Sequence, residues 1–175
     1  MDTNNNFFPD PSYEIPVSSN YFKLQEGENN FRVLSSAITG FEYWSNEGKP
    51  VRSKEKPDID SIFENMRVEK DSSQGIKHFW AFVVWNYEAK KVQILEITQK
   101  GIMKTMKGLI DNPKWGNPRE YDITITRSGS GFDTEYSVIP NPKVEIDDSI
   151  LAVYEGMHIR LEALFDSADP FMPVK

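Results

Sequence analysis

Cysteine is absent from the chain, so no disulfide framework and no thiolate metal site can form. Histidine is almost as scarce. Only His78 and His158 are present, far apart and in no ligand spacing, which gives no basis for a zinc centre. No uninterrupted apolar run approaches the roughly 18 residues that a membrane span needs. The opening Met-Asp-Thr-Asn-Asn-Asn lacks the basic and apolar regions of a secretory leader. Together with the missing cysteine, this fits a reducing cytoplasm. The signatures of catalysis are missing too: there is no Gly-rich phosphate loop, no Gly-x-Ser-x-Gly elbow and no nucleophilic thiol. The acid pairs Asp58/Asp60 and Asp147/Asp148 fall in an expected loop and an expected helix start, where solvated carboxylates are the rule. No enzyme, cofactor or metal is expected.

What is present is a chain of 175 residues, 38 % hydrophobic and 13 % aromatic, enough for one domain with extensions. Its net charge of −7 argues at first against a polyanionic ligand. The acidity, however, is concentrated at the ends. Residues 1–31 hold one basic against five acidic side chains, and residues 128–175 hold three against nine. Residues 32–127 hold sixteen against thirteen, a local excess of +3. Phosphate responds to local potential rather than to the whole-chain sum.

The stretch Lys77-His-Phe-Trp-Ala-Phe-Val-Val-Trp-Asn-Tyr87 packs five aromatics into eleven residues. Read with period 2, one face carries Lys77, Phe79, Ala81, Val83, Trp85 and Tyr87; the other carries His78, Trp80, Phe82, Val84 and Asn86. Both are apolar in the middle, so neither is simply the wet side of a half-buried strand. A core needs one face, and exposed rings on the other would suit the stacking of unpaired bases. The more polar ends of the Lys77/Tyr87 face favour it as the open one. In the converse parity Phe79 and Trp85 are core, and Trp80 and Phe82 face out.

Residues 1–19, Asn-rich with Pro9, Pro11 and Pro16, read as a flexible acidic arm. Strands are expected from Tyr21 to Leu24, from Phe31 to Leu34 after a turn at Glu26–Asn30, and from Ala37 to Trp44 with Gly40 as a bulge or bend. A long insertion, Ser45 to Gly75, holds a basic run and an expected short helical turn near Ile59–Met66. The 77–87 and 92–98 runs form a hairpin. Ile102, Met103, Met106, Leu109 and Ile110 then mark one face of a helix, with Thr98 as N-cap and Asp111-Asn-Pro113 as its stop. A second hairpin pairs Tyr121–Arg127 with Phe132–Ile139 across Ser128-Gly-Ser-Gly131. Asp147-Asp-Ser149 opens a last helix carrying Ile150, Leu151, Tyr154, Met157, Leu161 and Leu164. The expected fold is mainly β: a five-stranded OB-fold barrel with a helix between strands 3 and 4, plus a C-terminal helix. A generic α+β domain with the same order of elements is the alternative. The OB domain is assigned to residues 20–142, and residues 143–175 form the C-terminal helix and acidic tail.

Tyr21-Phe-Lys-Leu-Gln-Glu-Gly-Glu-Asn-Asn-Phe-Arg-Val-Leu34, Gly48-Lys-Pro-Val-Arg-Ser53, Lys77-His-Phe-Trp-Ala-Phe-Val-Val84, Ile94-Leu-Glu-Ile-Thr-Gln99 and Trp115-Gly-Asn-Pro118 form an ordered set of motifs. This set resembles the phage and prophage single-stranded DNA-binding proteins. The 121–131 hairpin continues it, so the resemblance covers roughly residues 20 to 142. It implies an OB-fold protein that coats unpaired DNA during phage replication or recombination, in the cytoplasm of a bacterial host. The chain departs from that pattern in having no Cys/His cluster, which excludes the zinc site of some homologues, and in its acidic, Asn-rich arm.

Sequence-tolerant binding of a single strand needs cations along a groove and flat rings beside them. From the first hairpin the candidates are Phe79, Trp85 and Tyr87 with Lys77, Lys90 and Lys91. Tyr43 and Trp44 stand at the mouth of the insertion, and as neighbours on a strand only one can face inward. The insertion offers Lys49, Arg52 and Lys54, diluted by Glu47, Glu55, Asp58 and Asp60, and Arg127 leads into the second hairpin's turn. Trp115 reads as a packing anchor. Asp166-Ser-Ala-Asp169-Pro-Phe171 is similar to the acidic, aromatic-tipped tails through which bacterial single-strand binding proteins recruit replication and recombination partners; the alternative is a frayed end. The expected function is therefore sequence-tolerant single-stranded DNA binding. The competing one is a β-barrel adaptor that binds a host replication or transcription protein by its acidic ends.

Overall fold

Two β-type runs joined by a tight turn make the centre of the molecule. In the computed structural model, which describes residues 19–66 and 75–172, β4 (Lys77–Asn86) and β5 (Lys91–Ile97) pair antiparallel from Trp80↔Ile97 to Asn86↔Lys91. Asn86 Oδ1 accepts from the backbone N–H groups of Glu88 and Ala89, which sets the turn. The other edge of β4 meets two strands in succession. Residues 77–81 face β2 (Ile38–Trp44), and residues 84–86 face β1 (Gly27–Val33). β1 and β2 are two halves of one bent path. At the bend Leu34 N donates to Val83 O and Val83 N donates to Ser35 Oγ, both at 2.8 Å, so β4 loses no partner there.

β3 (Pro50–Ser53) returns along β2, its proline at the first position where a strand tolerates one. β6 (Tyr121–Ser128) runs along the other edge of β1, and β7 (Glu135–Lys143) along β6. The spatial order is β3-β2-β4-β1-β6-β7, with β5 on the far edge of β4. Helix α1 (Ile59–Ile62) lies in the insertion, α2 (Lys100–Asp111) between the two hairpins, and α3 (Asp148–Met157) after them.

The mainly β class and the placement of the helices follow the sequence expectation; a closed five-stranded barrel does not form. Seven strands make an open sheet. The outer edge of β5 is taken by the N-terminal segment: Phe22 N donates to Ile94 O (2.8 Å) and Ile94 N to Asn20 O (2.9 Å). β7 meets α2 instead of β5. The arm expected over residues 1–19 lies, apart from Ser19, outside the described residues, as does part of the insertion. Three local expectations are also revised. The turn placed at Glu26–Asn30 is largely strand, Gly40 sits in an unbroken ladder, and α2 is capped at Gln99 rather than Thr98. The last helix is shorter, ending at His158 in the left-handed region (φ 48°) before a 3-10 turn at Leu161–Asp166.

Both faces of β4 are core. Phe82 and Val84 join Phe31, Leu95, Ile123 and Ile125 beneath Ile102 and Met106 of α2. Phe79, Ala81 and Val83 join Val92 and Ile94 beneath Leu161 and Leu164, with Phe165, Ile150 and Tyr154 around them. Full burial of side chains this size stabilises by about 1.5–3 kcal/mol each, so both layers hold the fold.

Candidate nucleic-acid interface

The face of β4 that carries Phe79, Trp85 and Tyr87 is the one the C-terminal segment covers. Phe79 is wholly enclosed, with the Phe165 ring 6.1 Å away and the Arg52 guanidinium 5.8 Å from its centroid. A sealed ring offers no surface to a base, so Phe79 is corrected to core. Tyr43 is corrected likewise: it points away from solvent, and its neighbour Trp44 is the exposed member of the pair, at 40 %.

Arg52 is not a free cation either. It stands opposite Glu42 in the β2–β3 ladder. Its Nη2 donates to Glu96 Oε2 of β5 at 2.8 Å, and its Nε lies 3.3 Å from Glu42 Oε2, an ion-pair contact without hydrogen-bond geometry. Burial, and then the neighbouring Glu96 carboxyl, push Glu42 up to about 8. Two acids and one guanidinium thus share one proton near neutrality. The cluster ties β3 to the sheet and leaves nothing for phosphate.

Of the remaining candidates, Lys49 sits in the tight Ser45–Lys49 turn and is exposed. Lys54 extends over the Phe165 ring at 5.7 Å. The insertion from Ser45 to Met66 holds four basic and five acidic residues, and with Arg52 consumed its potential favours no polyanion. Lys77 is half-buried at the start of β4. Lys91 Nζ donates to Ser19 O (3.4 Å) and Arg127 Nη1 to Leu24 O (3.2 Å), so each is partly engaged by the N-terminal segment.

The structure does bring Trp85, Tyr87 and Lys90 together. They line a cleft of about 370 Å³ between the β4–β5 turn and the start of α3. Tyr87 donates to Asp122 Oδ1 (2.7 Å), and burial followed by that bond pushes its phenol up to about 12. The opposite wall is Asp147, whose carboxyl is held below the usual range by the Ser149 backbone N–H and then its hydroxyl. That ionised wall, with Asp148 next to it, offsets Lys90.

At the C-terminal end, Asp166 and Asp169 are exposed while Phe171 packs against the second core. Asp169 Oδ1 accepts from Phe171 N (2.9 Å), and Arg160 N donates to Pro170 O (2.9 Å). The aromatic tip is turned inward in this state. Trp115 packs edge-on against Tyr121, the anchoring position expected of it.

Two features were not singled out from the sequence, and a third, Trp80, was named only as outward-facing in the converse parity. Phe132, at the tip of the β6–β7 hairpin, is fully exposed. Trp80 is half-buried and borders a second cleft, of about 540 Å³. Lys100, Lys104 and Lys107 form one stripe of α2, legible from the same 3.6-residue period that marked the apolar face.

This chain resembles a protein of Escherichia phage T5. The T5 protein is named as a probable ssDNA-binding protein; the two are 25 % identical over 139 residues, which is 67 % of this chain and 53 % of that one. The chain therefore spans about half the length of the curated relative it matches. No protein-family model and no solved structure matches it.

Proposed function

We propose that the protein is a non-catalytic, sequence-tolerant binder of single-stranded DNA that coats unpaired strands during phage replication or recombination in a bacterial cytoplasm. The observation that carries this reading is the similarity to the T5 protein, extended over 139 residues. The wiring supports it. A bent first strand split into β1 and β2, the β4–β5 hairpin, α2 and the β6–β7 hairpin occur in the order of an OB fold, here left open along one side. So does the supply of half-open rings next to cations, the combination that grips a strand without reading its bases.

The test is a titration with oligo-dT at several salt concentrations, read by quenching of the four tryptophans. Binding through Z phosphates weakens with log salt at a slope of about −0.7Z. No affinity at any salt would sink the reading. It would favour the adaptor alternative, for which one observation speaks: the uncovered Phe132 ring has Asp133 and Glu135 close by in the chain, a combination suited to a basic protein surface.

A further inference from the structure

A further positive stretch lies where no candidate residue was placed. Between Gln99 and Arg119 there are five basic residues and one acidic, a net +4, while the other 154 residues sum to −11. The +3 excess of residues 32–127 is therefore wholly contained in α2 and the turn after it. On α2 the basic positions are i, i+4 and i+7, and the buried Ile102, Met103 and Met106 hold the other side against the first core. Lys107 pairs with Asp111 along the stripe. Lys100, Lys104 and Lys114 are exposed and have no ion-pair partner among the described residues. Gly101 and Gly108, on the same helix, have open space where a side chain would stand, so a backbone can approach closely.

Next to the stripe is the 540 Å³ cleft. Its walls include Trp80 and Phe82 of β4, Met106, Lys107 and Ile110 of α2, and Arg119. Trp80 lies opposite Thr39 in the β2–β4 ladder, and Phe41 and His78 are the next pair on that face, their rings 5.0 Å apart. An aromatic floor thus borders a row of cations. In contrast to the Trp85 cleft, the bordering acid here, Asp111, is already neutralised by Lys107.

We infer that single-stranded DNA runs along α2, its phosphates on Lys100 and Lys104 and a base lodged against Trp80 in the cleft closed by Arg119. The inference rests on the proposed single-stranded DNA binding and places it on a face other than the one the sequence favoured. Lys100 and Lys104 stand about 6 Å apart along the helix axis, on one face. Arg119 Nη2 donates to Ser36 Oγ (2.9 Å), which holds its guanidinium at the rim, where a phosphate can replace the neutral hydroxyl.

The test compares Lys100→Glu/Lys104→Glu with the charge-matched Lys23→Glu/Lys143→Glu, using labelled oligo-dT and circular dichroism to confirm folding. The α2 pair is expected to lose about tenfold or more in affinity at low salt, with the salt slope reduced by about 1.4. Trp80→Phe is expected to keep the fold and remove much of the tryptophan quenching by oligo-dT. If the unaltered protein binds oligo-dT but the α2 pair matches the control in affinity and slope, this path is overturned while the function stands. If the unaltered protein has no affinity even at low salt, both fall.

Discussion

The Phe165 ring lies 6.1 Å from that of Phe79, inclined at 49°, and joins the 3-10 turn Leu161–Asp166 to the central strand. Its neighbour Leu164 is only 2 % exposed and belongs to the same layer. The C-terminal segment is therefore structural in this state. Leu164→Ala removes a buried side chain from a packed layer and is expected to destabilise by about 2–4 kcal/mol. Urea denaturation checks this; an effect below about 0.5 kcal/mol would mean that the segment is only loosely attached.

The Glu42–Arg52–Glu96 cluster gives stability a distinctive pH dependence. Glu42 titrates near 8 when folded and near 4.5 when released. Between those values the folded chain holds a proton that the unfolded chain has lost, so stability falls as pH rises through this window and levels off above it. Glu42→Gln keeps the side chain's shape and removes the titration. Its melting temperature is expected to change less than that of the unaltered protein between pH 5 and pH 8, in roughly the window set by the two ionisations. Parallel melting curves at both pH values would refute the assignment.

Asp122 supports two groups. It lies 2.7 Å from Nε of the fully buried Arg32, whose other nitrogens donate to Arg119 O and Val144 O, and it accepts from Tyr87 Oη. Asp122→Ala leaves a buried guanidinium without its counter-ion, at a cost of about 3 kcal/mol. The Tyr87 phenol, about 12 in the folded protein, is expected to titrate lower in the variant while burial keeps it above its ordinary value. Because the folded value exceeds the unfolded one, Tyr87 stabilises below about pH 10 and that contribution is lost as pH rises through 12. A near-ultraviolet pH titration of both proteins reads the shift; no change would separate Tyr87 from Asp122.

The elements legible in the sequence are those written in local pattern. The Ile102–Met106 stripe marked α2, the tight turn marked the β4–β5 hairpin, and Asp147 marked the start of α3. What was not legible depends on distant partners. The polar Glu28-Asn-Asn30 reads as a turn, yet Asn29 is buried because its amide donates to Gln25 O, Gly27 O and, across the ladder, Ile125 O. Arg52 reads as a free cation until β2 and β5 bring two carboxylates to it. The apolar character of both faces of β4 was visible; that the chain's own C-terminal end covers one of them was not. Charge summed over three broad segments likewise concealed that the positive excess belongs to one helix and its following turn.

Gly40 shows how tightly the covered face is built. It stands opposite Phe79 in the β2–β4 ladder. A Cβ there would lie 2.4 Å from the backbone oxygen of Ser53, 3.0 Å from the Phe165 ring and 3.1 Å from the Phe79 ring. The backbone oxygen cannot swing aside as a side chain can, so β3 has to move. Gly40→Ala is expected to destabilise by about 1–3 kcal/mol, although alanine is favoured over glycine in a strand on conformational entropy alone. Displacing β3 also carries Arg52 away from Glu42 and Glu96, so the variant is expected to lose more stability above pH 8, where both carboxylates are ionised and depend on that guanidinium, than at pH 6, a difference that a cavity variant such as Leu164→Ala does not share. Adding Phe165→Leu relieves one ring contact but not the carbonyl, and is not expected to restore stability. Urea denaturation of the single and double variants decides it: full rescue by Phe165→Leu would place the steric conflict at the ring and not at the β3 backbone.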